Sequence, residues 1–488
     1  MQQAVPLDVD VLVVGAGISG VDVASRLAQH CAGTVWAVLE ARDAIGGTWD
    51  LFRYPGVRSD SDMYTLGFPF RPWRGNGSFA TGAQIREYVQ DTARAYGVTE
   101  RLHLGQKAER LEWSSDTARW TVTARTSSGV VRHTARFVYL ATGYYSYASG
   151  HVVAFPGLED FAGEVVHPQH WPAGGLDVRG KRVVVIGSGA TAVTLVPALV
   201  GEGAAHVTML QRSPSYVAAL PDHDAVADGL RRVLPAGLAH RVVRGKNVVL
   251  GLAAYRLLRR WPQGGARLLR KRVAERLPEG YDVETHFTPT YDPWDERLCV
   301  APDGDLLDAI ASGRADVVTD TVERFEADGI RLGSGGHLPA DVVVTATGLR
   351  LAIGGGAEAV VDGEPVDIAQ GHVYKGLMLS DVPNMALSVG YTNASWTLRA
   401  DLSAHWFCRL VRYMDNRGLS VAVPRFDAAR EGGEDTPLLD LTSGYIARGA
   451  HLLPRQGRRR PWRVVQSYPY DLAVMRLGRV DDGHLDLH

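Results

Sequence analysis

Glu40 and Arg212 hold equivalent places in two stretches of the chain that repeat one device. Glu40 lies 25 residues beyond Gly15 (40 − 15), and Arg212 lies 25 residues beyond Gly187 (212 − 187). Each of those glycines opens a turn: Gly15, Gly17 and Gly20 in GAGISG, and Gly187, Gly189 and Ala192 in GSGATA. This is the spacing of a dinucleotide fingerprint. Its first position permits a tight turn, its second lets the backbone approach a pyrophosphate, and its third lets the helix pack close on the strand. An acid at the end of the next strand accepts hydrogen bonds from ribose hydroxyls and repels a 2′-phosphate. An arginine there holds that phosphate by charge-assisted bonds. The first turn is therefore expected to bind the adenosine half of FAD, or NAD, and the second NADPH rather than NADH. Ser19, Ser188, Ala190 and Thr191 lie inside the turns, and Gln211 and Ser213 flank Arg212, so all six are candidate contacts.

The elements that must hold these residues are legible around them. VDVLVV and KRVVVI are β-branched strands, and VDVASRLAQH and TAVTLVPAL follow the turns as helices. A helix starting at such a turn offers unpaired N–H groups and a partial positive charge to phosphate. One such match carries little weight, because glycine turns between strands and helices are common; two carry more. Two later strands, RFVYLATGYY and ADVVVTATGLR, end alike at Ala141-Thr142-Gly143 and Ala346-Thr347-Gly348, where the chain leaves and re-enters its nucleotide domains.

The expected fold class is α/β, with two doubly wound Rossmann-like dinucleotide-binding domains, the NADP domain inserted in the FAD domain. The divisions are 1–145 and 346–488 for the FAD domain with the C-terminal segment, and 146–345 for the NADP domain, with a helical insertion at about 222–290. That insertion is rich in Lys and Arg at helical spacing. It fits a solvated basic face better than a membrane-surface helix, since two glycines and a proline interrupt it. AREGGEDTP, at 429–437, is expected to be a surface loop.

The bulk numbers exclude several classes. At 488 residues the chain needs more than one core. A net charge of −2 gives no polyelectrolyte partner, so nucleic acid is not expected. Cys31, Cys299 and Cys408 form no disulfide framework and no CxxC pair, which counts against a pyridine-nucleotide disulfide reductase and implies a cytoplasmic setting. No signal peptide and no membrane-spanning run is seen, and no metal site is expected.

FAGEVVHPQHWP then takes on meaning. Phe161, Gly163, His167, Trp171 and Pro172 fit F-x-G-x-x-x-H-x-x-x-W-P, and the sequence resembles the type I Baeyer–Villiger monooxygenases among the class B flavoprotein monooxygenases. Its GGTWDLFRYPGVRSDSDMYTLGF, YDPWDERLC, PDGDL, GYTNASWTLRADL and LPRQGRRRPWR are similar to the branch that contains the ethionamide-activating monooxygenase, nearly end to end.

The resemblance implies FAD and NADPH as cofactors. It implies O2 and a small apolar ketone, or a sulfur-containing compound, as substrates, with a C4a-peroxyflavin inserting one oxygen beside a carbonyl to give an ester or lactone. The alternative is S- or N-oxygenation by the same intermediate. The resemblance makes Arg297 the catalytic cation and Asp60 the acid that holds it. Gly47, Thr48, Trp49, Asp50 and Leu51 would line the flavin, with Arg58, Ser59 and Asp60 where flavin and nicotinamide meet. Trp396 is a candidate wall residue and equally a candidate core residue. His167 would couple the domains rather than do chemistry. Glu296 stands where several relatives carry a phosphate-binding lysine. Recognition of the 2′-phosphate is therefore expected to rest on Arg212 and Ser213, with Lys181 a further candidate.

Overall fold

Val11 and Val13 face one core of the molecule, and Val9, Leu12 and Val14 face another. A strand buried on both sides reads as an unbroken apolar run, which is the mark of a parallel sheet. The computed structural model describes residues 5–75, 77–431, 436–438 and 444–488. That first strand, β1 (Asp8–Val14), passes through the glycine turn into α1 (Ile18–His30) and on to β2 (Trp36–Leu39). Two short helices follow, α2 (Thr48–Leu51) and α3 (Met63–Leu66), then α4 (Gly82–Ala95), opened by a capping box of Thr81 and Gln84. Next come β3 (Leu102–His103) and a meander of β4 (Lys107–Ser114), β5 (Arg119–Thr126) and β6 (Gly129–Leu140).

The long β6 has two roles. Its first half pairs antiparallel with β5 and its second half runs parallel to β1. The parallel layer is thus β3-β2-β1-β6, and β1 sits where the strand order reverses. A crevice opens outside the carboxyl end of such a strand.

After Leu140 the chain builds a second sheet. It contains β7 (Glu164–Val166), β8 (Arg182–Ile186), α5 (Ala190–Gly201) and β9 (His206–Gln211). Then come β10 (Val217–Leu220), four helices, α6 (Ala225–Val233), α7 (Ala236–Arg260), α8 (Pro262–Ala274) and α9 (Val283–Phe287), and β11 (Cys299–Pro302), which pairs parallel with β10. The helical insertion expected at about 222–290 is these four helices. The sheet closes with α10 (Asp305–Ala311), β12 (Ala315–Thr319), the small antiparallel β13 (Val322–Glu326), β14 (Gly329–Leu332) and β15 (His337–Pro339), and β16 (Val342–Thr345). Its five strands are all parallel, in the order β12-β9-β8-β16-β7. As in β1, alternate residues of β8 serve two cores: Val183 and Val185 one, Val184 and Ile186 the other.

The chain then returns to the first sheet. β17 (Glu358–Val361) joins β4, and β18 (Glu364–Pro365), β19 (Val373–Tyr374), β20 (Met378–Leu379) and β21 (Met385–Leu387) complete it, β21 lying beside β6. The helix α11 (Trp396–Asp415) lies on α1, where the buried Arg26 donates to Asp401 at 2.8 and 2.5 Å. Two doubly wound α/β units, one inserted in the other, are therefore what the chain folds into. Of the 429–437 loop, residues 432–435 lie outside the described residues, and 428–431 form a short helix. Among the described residues no helix is long and apolar enough to cross a membrane.

Candidate active site

The two glycine turns are built alike. Gly15 has φ +106°, and a Cβ there would stand 2.6 Å from the Ala141 carbonyl oxygen. Gly187 has φ +138° and meets the Ala346 carbonyl in the same way. The two Ala-Thr-Gly triplets are therefore the neighbouring strand ends against which each turn is pressed. Gly20 is tighter still, since a Cβ would overlap the Gly15 carbonyl. The helix caps, Gly17 and Gly189, carry no side chain to satisfy the first-turn N–H groups. Those donors, with the positive end of the helix dipole, face an anion site.

At the end of β2 the buried Glu40 accepts from Ala16 N at 2.7 Å and from Arg42 N at 2.9 Å. Burial raises its carboxyl above the usual range, and the two N–H groups pull it back. It thus braces the turn as well as presenting an acceptor at the ribose place. At the end of β9, Arg212 and Ser213 are exposed, and Ser188 donates to the Ser213 carbonyl at 2.9 Å. Arg448 lies close enough that the Arg212 charge, after burial, lowers its guanidinium pKa. Two like charges side by side suit an anion, and Arg448 is a residue that the sequence did not single out. Gln211 is turned inward, donating to the His286 carbonyl and to Thr319. Lys181 does not join them. It precedes β8 at the strand end away from Gly187, about 20 Å off at strand rise, and so cannot help to hold the same phosphate.

One cleft connects the turns. Its wall includes Gly17, Ser19, Gly47, Thr48, Trp49, Arg58, Ser59 and Asp60 from the first unit, Ala190, Thr194 and Arg297 from the second, and Tyr144, Tyr145, Tyr147 and Trp396. The aromatic group is organised. Trp396 stacks on Tyr144 at 5.1 Å, Tyr144 meets Tyr145 edge-on at 4.5 Å, and Trp396 Nε1 donates to Ser19 Oγ at 2.9 Å. Trp396 is thus a wall residue. The tyrosines stand in GYYSY, directly after the first Ala-Thr-Gly triplet, and that spacing was the signal for them.

Arg297 Nη1 lies 3.9 Å from Asp60 Oδ2, and Nη2 donates to the Tyr391 carbonyl at 3.5 Å. Both side chains are 36% exposed, so the pair opens on the cleft instead of closing on itself. The loop that carries Arg297 holds Trp294 at φ +74°, a left-handed conformation costly for a bulky residue and characteristic of functional loops. Behind the pair, Cys299 is pushed up to about 12 by burial and then by Asp60 and Glu296, so it stays a thiol.

Of the remaining candidates, Arg58 and Ser59 line the cleft with this pair, while Asp50, Leu51, Thr191 and Ala192 do not. Arg58 donates to Asp305 at 2.5 and 3.2 Å, tying the cleft to α10. Ser59 is buried and accepts from Ser61 N. Asp50 is buried among Arg42, Arg53 and Arg86, whose charges hold its carboxyl below the usual range against the effect of burial. Leu51 packs against the second unit's core, and Thr191 and Ala192 lie in the first turns of α5.

His167 accepts from Gln169 N at 3.2 Å, and its ring fills the space over Gly150, with the Gly348 backbone close by. Burial lowers its pKa. It sits between the two crossing segments of the chain. Cys31 and Cys408, far apart in sequence, meet between α1 and α11, away from the cleft. Glu326, Asp328 and His337 gather on the β13–β15 surface, where Arg331 already pairs with Glu326.

A protein-family model described as flavin-binding monooxygenase-like matches residues 9–224. The FAD-containing monooxygenase EthA of Mycobacterium tuberculosis is 51% identical over 475 residues, 97% of this chain and 96% of that protein. The putative FAD-containing monooxygenase MymA of the same organism is 48% identical over 482 residues, 98% and 97% of the two chains. Among solved structures, an oxidized steroid monooxygenase bound to NADP superposes with a TM-score of 0.79 at 21% identity, covering 98% of this chain and 99% of that one, and so shares the fold.

Proposed function

The chain belongs to the flavin-binding monooxygenase-like family, and from that premise we propose that it is an FAD- and NADPH-dependent Baeyer–Villiger monooxygenase that converts a small apolar ketone to an ester or lactone with O2. The observation that carries the reading is the Arg297–Asp60 pair opening on a cleft that both glycine turns share.

The residues present fit the two cofactors. Gly15 and Gly20 leave no room for a Cβ, Gly17 caps the helix that follows, and Glu40 would stand at the ribose. Gly47, Thr48, Trp49 and Tyr145 continue the same cleft wall, where the flavin would lie. Gly187, Gly189 and Ala190 would receive the NADPH pyrophosphate, with Arg212, Ser213 and Arg448 at its 2′-phosphate. Reduced flavin, when bound, would supply the electrons that activate dioxygen, and dioxygen itself is the source of the oxygen atom that is transferred.

The chain's own contribution is electrostatic. Oxygen insertion beside a carbonyl places negative charge on an oxygen, and the Arg297 guanidinium stays protonated and aims several donors at it. Asp60 fixes that guanidinium from the side and offsets its charge while the cleft is empty of anion. At 3.9 Å the pair attracts without a short hydrogen bond, and both side chains open on the cleft. The aromatic wall of Tyr144, Tyr145 and Trp396 keeps water from that oxygen.

The test is turnover under ¹⁸O₂ with NADPH and a panel of cyclic and linear ketones, with a thioether alongside. An ester carrying one labelled oxygen is expected. Sulfoxide without ester would replace the ketone reading with S-oxygenation at the same site. NADPH oxidation that yields hydrogen peroxide alone across the panel would overturn the monooxygenase reading.

A further inference from the structure

The α7–α8 hairpin carries a surface that the oxygenation chemistry does not use. Between Ala236 and Ala274 the sequence has ten arginines and lysines and no acidic residue, in a chain whose net charge is −2. The N-terminal half of α7 is anchored: Ala239, His240, Val243 and Arg244 are buried, and Arg244 donates to the carbonyls of Tyr64, Thr65 and Gly67 around α3. The C-terminal half touches the body on one side through Tyr255 and Arg259 and is otherwise largely exposed, and its segment VVLGLAAY, 248–255, carries no charge.

The exposed apolar residues of α7 are Leu238, Val242, Val249, Leu250 and Leu257. At about 100° per residue they fall within a sector of roughly 120°. Val249 is 61% exposed and Leu250 59%, and Trp261, at the corner into α8, is 59% exposed. Single exposed apolar side chains are ordinary, but a row of them on one helix marks a contact surface. Cations share this sector: Lys246, tied to Asp224, lies within it. Arg256 and Arg260 lie at its C-terminal end, and exposed Arg267, Lys271 and Arg272 follow on α8.

We propose that the α7–α8 hairpin docks the protein in the plane of an anionic lipid bilayer. The apolar row sits at the headgroup–acyl boundary, Trp261 at headgroup level, and the bordering guanidiniums on lipid phosphates. Charge selects this occupant. A second copy of the chain would bring the same excess of cations against itself, and like charges repel. Gly245 and Gly251 lie within α7 and do not break it, while Gly264 and Gly265 fall at the corner into α8, where Gly265 packs on Leu258.

The docked helix touches both loops that carry the Arg297–Asp60 pair. Asn247 donates to Asp62 at 2.9 Å, two residues past Asp60. Tyr255 meets Trp294 edge-on at 5.4 Å, and Arg259 donates to Asp295 at 2.6 Å, on the loop that carries Arg297. One helix thus braces both segments of the catalytic pair and presents the cleft to a lipid surface, from which apolar substrate enters.

The test is co-sedimentation of the purified holoenzyme with vesicles. One set is phosphatidylcholine alone and the other is an equal mixture with phosphatidylglycerol. Binding to the mixed vesicles is expected, at least about tenfold weaker to phosphatidylcholine, and weakening as salt shortens the Debye length. The double variant Val249→Asp/Leu250→Asp should lose binding by at least about tenfold while keeping its melting temperature and bound flavin. Trp261→Ser should weaken it less. No binding to anionic vesicles, or full binding by the double variant, overturns the proposal. So does self-association without lipid that the double variant abolishes, which would give the face to a second copy. The readout is lipid binding, so it stands or falls apart from the oxygenation reading.

Discussion

Asp60 faces Arg297 across 3.9 Å, although 237 residues (297 − 60) separate them in the chain. Asp60 comes from the loop before α3 in the first unit, and Arg297 from the loop before β11 in the second. The proposed cation of the cleft is therefore carried by the inserted unit and its acid partner by the other. A shift between the units would move the donor away from the place where negative charge forms.

Arg297→Ala should leave NADPH-driven flavin reduction intact and lower ester formation by about 10²–10³-fold, the usual effect of removing one oxyanion donor. Arg297→Lys should recover only part, since a single ammonium cannot reproduce the planar fork. Anaerobic stopped-flow reduction and product analysis on the same preparation separate the two half-reactions. Undiminished ester yield from Arg297→Ala would remove the assigned role.

Arg212→Ala should raise KM for NADPH by roughly tenfold to a hundredfold, the range of one or two charge-assisted hydrogen bonds, and leave KM for NADH nearly unchanged. Arg448→Ala should act in the same direction and less strongly. Steady-state kinetics with both cofactors decide it, and equal changes for NADPH and NADH would dismiss the 2′-phosphate site.

Gly20→Ala and Gly189→Ala should fail differently. A Cβ at Gly20 overlaps the Gly15 carbonyl, whereas one at Gly189 meets nothing within 4 Å. The first variant should lose melting temperature and bound flavin. The second should melt like wild type and yet bind NADPH poorly, because its methyl occupies the pyrophosphate's approach. Differential scanning fluorimetry with flavin quantitation tests both.

Arg58 and Asp305 join the two units through a partly exposed ion pair. A double-mutant cycle with Arg58→Ala and Asp305→Ala in urea should give a coupling of about 1 kcal/mol, in the range for such pairs. Additive effects would show that the pair contributes nothing to holding the units together.

His240 is buried on α7, and burial, then the charges of Arg244 and Arg231, push its pKa down to about 4. The folded protein keeps it neutral down to that pH, whereas the unfolded chain protonates it near 6.5. Unfolding therefore takes up a proton between about pH 6.5 and 4, and stability falls as pH drops through that window. The melting temperature should fall less from pH 7 to pH 5 in His240→Leu than in wild type. Parallel pH profiles would exclude this group.

The nucleotide turns were legible in the sequence because they are local. Strand, glycine turn, helix and the residue that ends the next strand lie within about 25 residues of one another, and backbone sterics allow few arrangements of them. The double strand burial around β1 and β8 was legible for the same reason, as runs of valine and leucine. The catalytic pair rested on resemblance alone, because nothing in composition links position 60 to position 297.

Other relationships came only from tertiary packing, which sets residues face to face regardless of their separation. The Ala141 and Ala346 carbonyls press on Gly15 and Gly187, Trp396 stacks on Tyr144, Arg58 pairs with Asp305, and Cys31 meets Cys408. Tertiary structure also decided which candidates cannot act together. Lys181 and Arg212 have similar charges, yet Lys181 stands at the start of β8 and Arg212 at the end of the neighbouring parallel β9, on opposite sides of the sheet's strand ends. The basic helical insertion shows the same division of labour. Its charge and periodicity were written in the sequence, but which side of α7 would be covered depended on where α3 came to lie.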